Sequence, residues 1–328
     1  MVKKYVCPLS FVTALSCSLH VIGQSYEGVT REPDSSYTTK IAFEKTLKTY
    51  PNIEIVEEFN FETVVEEKNI AYNIVDGRVL KLDVFRPKVM PQLGTAIIIV
   101  HGGGWRSGNR TQHYPLAQSL ANLGYVCFTP EYRLSTEALF PAAVFDIKAA
   151  IRWVRDNASE YNISLDKISL VGFSAGGELA AFVGVTGEMD IFNEKNSRKL
   201  QSSKINAVVN IDGILSFTHP DSVEGDDTKN TSAATYWFGY AKKDNLKLWD
   251  LASPLTHVGP NSPPILFLNS KVSRMHAGRD DYIQILDRHT IVSEVYEFKG
   301  APHSFCLFHP WFMPTVEYVD KFLKRILG

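Results

Sequence analysis

Short, predominantly apolar runs recur along this chain at residues 96–100, 125–129, 168–173, 207–211, 265–268 and 295–298. Runs of this length without polar alternation are what strands covered on both faces require. Between them lie segments with helical spacing of apolar residues, at 112–123, 142–157, 175–185 and 280–289. Strand, helix and strand in repetition predict an α/β fold: a mostly parallel central sheet with helices on both faces. Residues 53–87 read differently, because β-branched and aromatic residues alternate there with charge, as in half-exposed antiparallel strands. Asp76-Gly77 marks a tight turn between two of these strands, at 70–75 and 79–85.

No linker, repeat or low-complexity tract interrupts the pattern, so residues 52–328 are predicted to form one domain, preceded by a polar lead-in at 24–51 with a short helix near 40–49. Longer inserts at 188–204 and 220–264 fall between elements, where binding surfaces tend to grow. A hydrophobic content of 45% with 21% charged residues excludes wholesale disorder. A formal net charge of −2 gives no electrostatic basis for nucleic acid as a partner.

The first residues have the character of an export signal. Lys3 and Lys4 precede a mostly apolar stretch at 5–22, and Val21 and Gly23 occupy the small-residue positions of a cleavage site, which places the cut after Gly23. This stretch contains Pro8 and His20 and is too short and polar for a transmembrane anchor. The expectation is a periplasmic or secreted protein. A lipid anchor on Cys17 is the alternative; Leu15-Ser16 favour it, and Ala14 at the third position before the cysteine weakens it. Only Cys127 and Cys306 remain beyond the leader; export permits a bridge between them, but their spacing does not imply one.

Three groups of residues carry chemistry. Gly172-Phe173-Ser174-Ala175-Gly176 follows an apolar run and opens a helical one, so Ser174 falls on a sharp strand-to-helix turn that exposes its hydroxyl at the sheet edge. His101-Gly102-Gly103-Gly104-Trp105 follows another run, and its glycines let backbone N–H groups approach a substrate. The expected oxyanion donors are the amides of Gly103, Gly104 and Ala175, with His101 bracing the loop. His303 lies in a loop after the last apolar run, at the edge where a general base for Ser174 must stand.

Together these groups resemble the α/β-hydrolase superfamily, in its hormone-sensitive-lipase-like and feruloyl-esterase-like branch. The resemblance runs from about residue 70 to the C-terminus and includes Asp83-Val84-Phe85-Arg86-Pro87, Glu131-Tyr132-Arg133-Leu134 and Phe140-Pro141-Ala142-Ala143 with Asp146. It implies an ester-cleaving serine hydrolase that needs neither cofactor nor metal, and a structural tie between Arg133 and Asp146. The sequence departs from the branch at the acid. The loop after the run at 265–268 reads Asn269-Ser270-Lys271-Val272-Ser273-Arg274-Met275-His276, with no carboxylate. The reading favours Asp212, which ends the preceding run; the alternatives are Asp280 and Asp281, which open the next helix, where acidic residues commonly serve the helix dipole.

Arg274, His276 and Arg279 cluster in a loop expected to rim the site, with Trp105 and Arg106 beside the oxyanion turn. Guanidinium groups suit carboxylate recognition, although such a cluster is equally a solvated surface or, for Arg279, a pair with Asp280 or Asp281. Trp237, Trp249 and Trp311 are candidates for stacking on sugar rings, or plugs of the core. His276-Ala277-Gly278-Arg279-Asp280-Asp281, and His303 followed by Phe305 and Phe308-His309-Pro310-Trp311-Phe312, resemble a bacterial carbohydrate-esterase group that includes pectin methylesterases. That resemblance implies a polysaccharide or oligosaccharide ester as substrate, methyl-esterified galacturonan first, with acetyl or feruloyl esters of xylan or pectin as alternatives. A non-catalytic carbohydrate-binding module on the same fold is the distant alternative, disfavoured because Ser174 and His303 are both present.

Overall fold

Side chains of the apolar runs point alternately to the two sides of one sheet, and helices cover both. The computed structural model describes residues 29–90, 92–193 and 201–328. Helix α1 (Thr39–Leu47) and the short strand β1 (Glu54–Ile55) precede a hairpin of β2 (Val64–Val75) and β3 (Arg78–Pro87). There follow β4 (Gly94–Val100), α2 (Tyr114–Asn122), β5 (Val126–Pro130), α3 (Ala142–Asp156), β6 (Ile163–Phe173), α4 (Ala175–Thr186) and β7 (Ala207–Ile211). Next come α5 (Ala233–Phe238), α6 (Leu246–Leu251), β8 (Ile265–Asn269), α7 (Arg279–Arg288) and β9 (Ser293–Glu297). A second short strand, β10 (Phe308–His309), and helix α8 (Phe312–Leu327) complete the described chain.

The sheet has eight strands in the order β2-β3-β5-β4-β6-β7-β8-β9. β3 runs antiparallel to both its neighbours, and the strands from β5 to β9 are mutually parallel. This is the α/β-hydrolase arrangement. Ala96, Ile98 and Val100 of β4 join Val144, Ile147 and Ile151 of α3 and Leu179 of α4 in one core. Ile97 and Ile99 face the opposite core, with Leu116 and Leu120 of α2 and Val316, Val319 and Phe322 of α8. Each of these larger side chains contributes roughly 1.5–3 kcal/mol by leaving water.

Helix α8 lay outside the predicted helices although its apolar residues recur at helical spacing, and it seals one face of the sheet. Helices α5 and α6, six residues each, are too short to carry a periodic signal, so the insert at 220–264 gave no sign of them. The tie between Arg133 and Asp146 is present: the Arg133 amide donates to Oδ2 at 2.8 Å and Nη2 to Oδ1 at 2.9 Å. Cys127 and Cys306 are both buried free thiols, so no bridge joins them. The export signal over 1–23 and Cys17 lie outside the described residues. Among the described residues, no helix is long and apolar enough to cross a membrane.

Candidate active site

β6 ends at Phe173 and α4 begins at Ala175, leaving Ser174 alone to make the turn, at φ 55° and ψ −120°. A serine in the left-handed region is strained, and such strain persists only where the surroundings enforce it. Here the Ser174 amide donates to Ile211 O at 2.8 Å and its carbonyl accepts from the Glu178 amide at 3.0 Å. The flanking glycines are steric necessities. A Cβ on Gly172 would stand 2.0 Å from Gly176 O, and one on Gly176 would stand 2.2 Å from Val100 O.

Asp212 immediately follows β7, and His303 lies beyond β9 at the same edge of the sheet. His303 Nε2 is 2.9 Å from Ser174 Oγ, and its Nδ1 is 2.9 Å from Asp212 Oδ2. Asp212 is wholly buried and also adopts a positive φ, 51°. Its second oxygen, Oδ1, accepts the Ser270 amide at 2.8 Å and faces Asn269 Nδ2 at 3.4 Å. The loop after β8, which lacks a carboxylate, thus supplies donors to the carboxylate that stands one strand earlier. A hydroxyl beside an imidazole, itself oriented by a buried carboxylate, is the arrangement that activates a serine for attack on a carbonyl. Asp280 and Asp281 lie elsewhere. Their side chains are 77% and 55% exposed in the first turn of α7, Asp280 paired with Arg279 and Asp281 beside His219, so neither orients His303.

The glycine turn after β4 closes the site from the other side. His101 is buried, its ring stacked on Tyr132 at 4.3 Å, with Nδ1 2.8 Å from Gly102 O. Burial pushes its pKa down to about 4, so the ring is neutral at neutral pH and braces the turn as expected. Gly104 and Ala175 line a cavity of about 150 Å³ together with Ser174 and His303. Gly103 is absent from that lining; its carbonyl accepts the amides of Arg106 and Ser107, which folds the turn on itself. Ile214, Ala233 and Met275 make the cavity partly apolar, and Glu224 and Arg274 add an ion pair to its wall.

Of the residues expected to meet substrate, Trp105 and Arg274 line this cavity. Trp105 is nonetheless committed to the interior: its ring stacks on Trp237 at 4.8 Å and its indole N–H donates to Glu178 Oε2 at 2.9 Å. The other cations are placed differently. Arg106 pairs with Asp34 at 2.7 Å and lies over the Tyr236 ring, and Arg279 bonds Asp280 and Asn269 Oδ1. His276 turns Nε2 toward Asp212 Oδ1 at 3.8 Å. Arg106 and Arg279 therefore serve neighbouring loops through acidic partners, and burial lowers the His276 pKa, so the basic rim read from the sequence is largely absent. Trp237 and Trp249 are wholly buried, so they plug the core; Trp311 is half-buried and meets Tyr50 edge-on.

Glu224 was not anticipated, because a single acidic residue in a long insert gives no signal of where it will point. Nor was the role of residues 31–50. Besides the pair of Asp34 with Arg106, Tyr37 OH meets Ser304 Oγ at 3.2 Å and Tyr50 OH donates to Gly300 O at 2.7 Å. The lead-in is strapped across both the glycine turn and the His303 loop.

A family model described as BD-FAE matches residues 82–275. The chain is 30% identical over 238 residues to the probable carboxylic ester hydrolase LipM of Mycobacterium tuberculosis, covering 69% of this chain and 51% of that protein. It is 27% identical to the ethyl acetate hydrolase of Pseudomonas putida, covering 70% of this chain and 72% of that one. The chain spans about half the length of LipM and of the esterase LipQ of the same bacterium. Among solved structures, a truncated carbohydrate esterase from gut microbiota superposes with a TM-score of 0.69 at 23% identity, over 82% of this chain and 100% of that one, a likeness of fold. The propionate-bound esterase Est2 of Thermogutta terrifontis gives a TM-score of 0.65 at 26% identity, over 79% and 94% of the two chains.

Proposed function

This chain belongs to the BD-FAE family, and from that premise we propose that it is a serine carboxylester hydrolase with Ser174 as nucleophile, His303 as general base and Asp212 as the acid that orients it. The observation that carries this reading is the unbroken relay Ser174 Oγ–His303–Asp212, with 2.9 Å at each step. Ser174 Oγ attacks the ester carbonyl while His303 Nε2 takes its proton. The oxyanion so formed accepts hydrogen bonds from the amides of Ala175 and the glycine turn, Gly104 and Gly103, at the N-terminus of α4. Collapse breaks the bond to the alcohol oxygen, which leaves with the proton held by His303. Water then attacks the acyl-enzyme with His303 again as base, releasing the carboxylic acid and restoring Ser174.

The substrate we propose is an ester on plant cell-wall polysaccharide, methyl-esterified galacturonan first, handled by an exported enzyme. Arg274 in the cavity wall and the resemblance of the 276–281 and 303–312 stretches support this reading. A second reading, a short acyl ester such as acetyl on the same kind of polymer, is favoured by the cavity's volume. About 150 Å³ is well below the roughly 300–1,000 Å³ of pockets that bury drug-sized ligands, so only a small group is enclosed. Est2, solved with propionate and with butyrate, accords with that second reading. Methanol, acetate and ferulate released from a panel of pectins and xylans discriminate among them. Ser174→Ala, expected to lower kcat by about 10⁶ with the fold retained, tests the chemistry itself. Near-normal activity in that variant would end the serine-hydrolase reading.

A further inference from the structure

The wall of the candidate active-site cavity holds one feature that the relay does not use. Glu224 sits in the insert between β7 and β8, and its side chain is only 16% exposed. Its partner is Arg274, whose Nη1 stands 3.5 Å from Oε1, longer than the roughly 2.7–2.9 Å of a charge-assisted hydrogen bond. Among the described residues, Oε2 has no hydrogen bond. Burial pushes the Glu224 carboxyl up, and Arg274, Lys242 and His303 oppose that push.

The placement is built rather than incidental. The Glu224 amide donates to Ser222 Oγ and the Gly225 amide to Ser232 Oγ. Gly225, at φ 78°, lies so close to Trp249 that a Cβ would stand 2.7 Å from its ring. A buried carboxylate with one loose partner costs stability, and a fold optimised for stability alone would not retain it. What completes such a group is a pair of donors from outside the protein. Neighbouring hydroxyls on a sugar ring are donors of that kind, one to each carboxylate oxygen, whereas a plain alkyl ester brings none.

We propose that Glu224, held by Arg274, is the specificity-determining residue of this site and accepts hydrogen bonds from the hydroxyls of the sugar unit that bears the ester. This rests on the esterase reading above and deepens it: the site selects hydroxylated esters over alkyl esters of equal size. A carboxylate at that point also disfavours a second negative charge, so the unit it grips is a neutral one.

The test compares Glu224→Gln with the wild-type enzyme on 4-nitrophenyl acetate, acetylated xylo-oligosaccharide and methyl-esterified oligogalacturonide. The ratio of kcat/KM for the sugar ester to that for 4-nitrophenyl acetate should fall about ten- to a hundredfold, the worth of a hydrogen bond to a charged group. An unchanged ratio overturns the proposal, whether both rates fall together or neither does. Hydrolysis of 4-nitrophenyl acetate alone by the wild type would also overturn it while leaving the esterase reading in place. Hydrolysis of none of the three would remove that reading, and this one with it. Should Glu224→Gln fail to fold, competition on the wild type decides: methyl xyloside should inhibit 4-nitrophenyl acetate hydrolysis and its 2,3-dideoxy analogue should not. Equal inhibition by the two sinks the idea.

Discussion

Asp212 reaches His303 across a 2.9 Å contact made by one carboxylate oxygen, while the Ser270 amide occupies the other at 2.8 Å. This division of labour fixes which way the carboxylate points, and hence which imidazole nitrogen carries the proton when the ring faces Ser174. Asp212→Asn should keep the fold and lower kcat by about 10³–10⁴, because a neutral amide neither fixes that tautomer nor stabilises imidazolium. Asp280→Asn and Asp281→Asn, at exposed positions on α7, should stay within about twofold of wild type. Steady-state kinetics on the three variants check both statements, and collapse of either helix variant would move the acid to α7.

Arg279 bears on the same carboxylate at one remove. Its Nη1 donates to Asn269 Oδ1 at 2.9 Å, and Asn269 Nδ2 faces Asp212. Arg279→Glu should therefore lower kcat by about tenfold for a small neutral ester and a pectin alike, the cost of one charged hydrogen bond. A rise in KM confined to pectin, reproduced by high salt, would instead return Arg279 to a role in meeting polymer carboxylates.

Glu178 gives a pH dependence whose sign is fixed by burial. Its carboxyl is wholly buried, and burial pushes its pKa well above the ordinary carboxylate value, with only the Trp105 indole N–H opposing. The folded protein then keeps a proton that the unfolded chain releases above that value. The stabilisation is complete below the unfolded pKa and is lost as pH rises toward the folded one. Glu178→Gln stays neutral throughout, so its urea midpoint should exceed that of wild type increasingly as pH rises, with the gap closing toward acid pH. A gap independent of pH would mean that Glu178 is ionised in the fold.

What could be read from the chain and what could not divide along physical lines. The strand-to-helix turn at Ser174, the glycine turn and the alternation of apolar strands with helices are local patterns, set by residues a few positions apart, and each has a direct signature. Asp212 was reachable by another route, since a carboxylate ending a buried run needs a partner, and the loop that ordinarily supplies the acid has none. The residues lining the cavity were reachable only in part: Trp105 and Arg274 line it, and the other cations named with them do not. Arg106 and Arg279 resemble a basic rim in sequence; the pairing of Arg279 with its neighbour Asp280 is one the sequence already offered, whereas Asp34 takes up Arg106 from a distant segment, and charge pairing of that kind leaves no local trace. Glu224 was invisible for the same reason, and of the two readings the sequence left open for Trp237 and Trp249 the structure has the core plug, because an aromatic residue in an insert reads alike whether it faces sugar or core.

The residues ahead of α1 reach the glycine turn through Asp34 and the His303 loop through Tyr37, so two loops far apart in sequence share one anchor. Proteolytic trimming from the N-terminus is therefore bounded by architecture. Removal as far as residue 30 spares the backbone bond from Arg31 to Thr136 and everything after it, whereas a cut beyond Tyr37 detaches a clasp that the loops cannot replace from their own sequence. The stretch that looks most like a dispensable tail is thus one on which two loops of the candidate site lean.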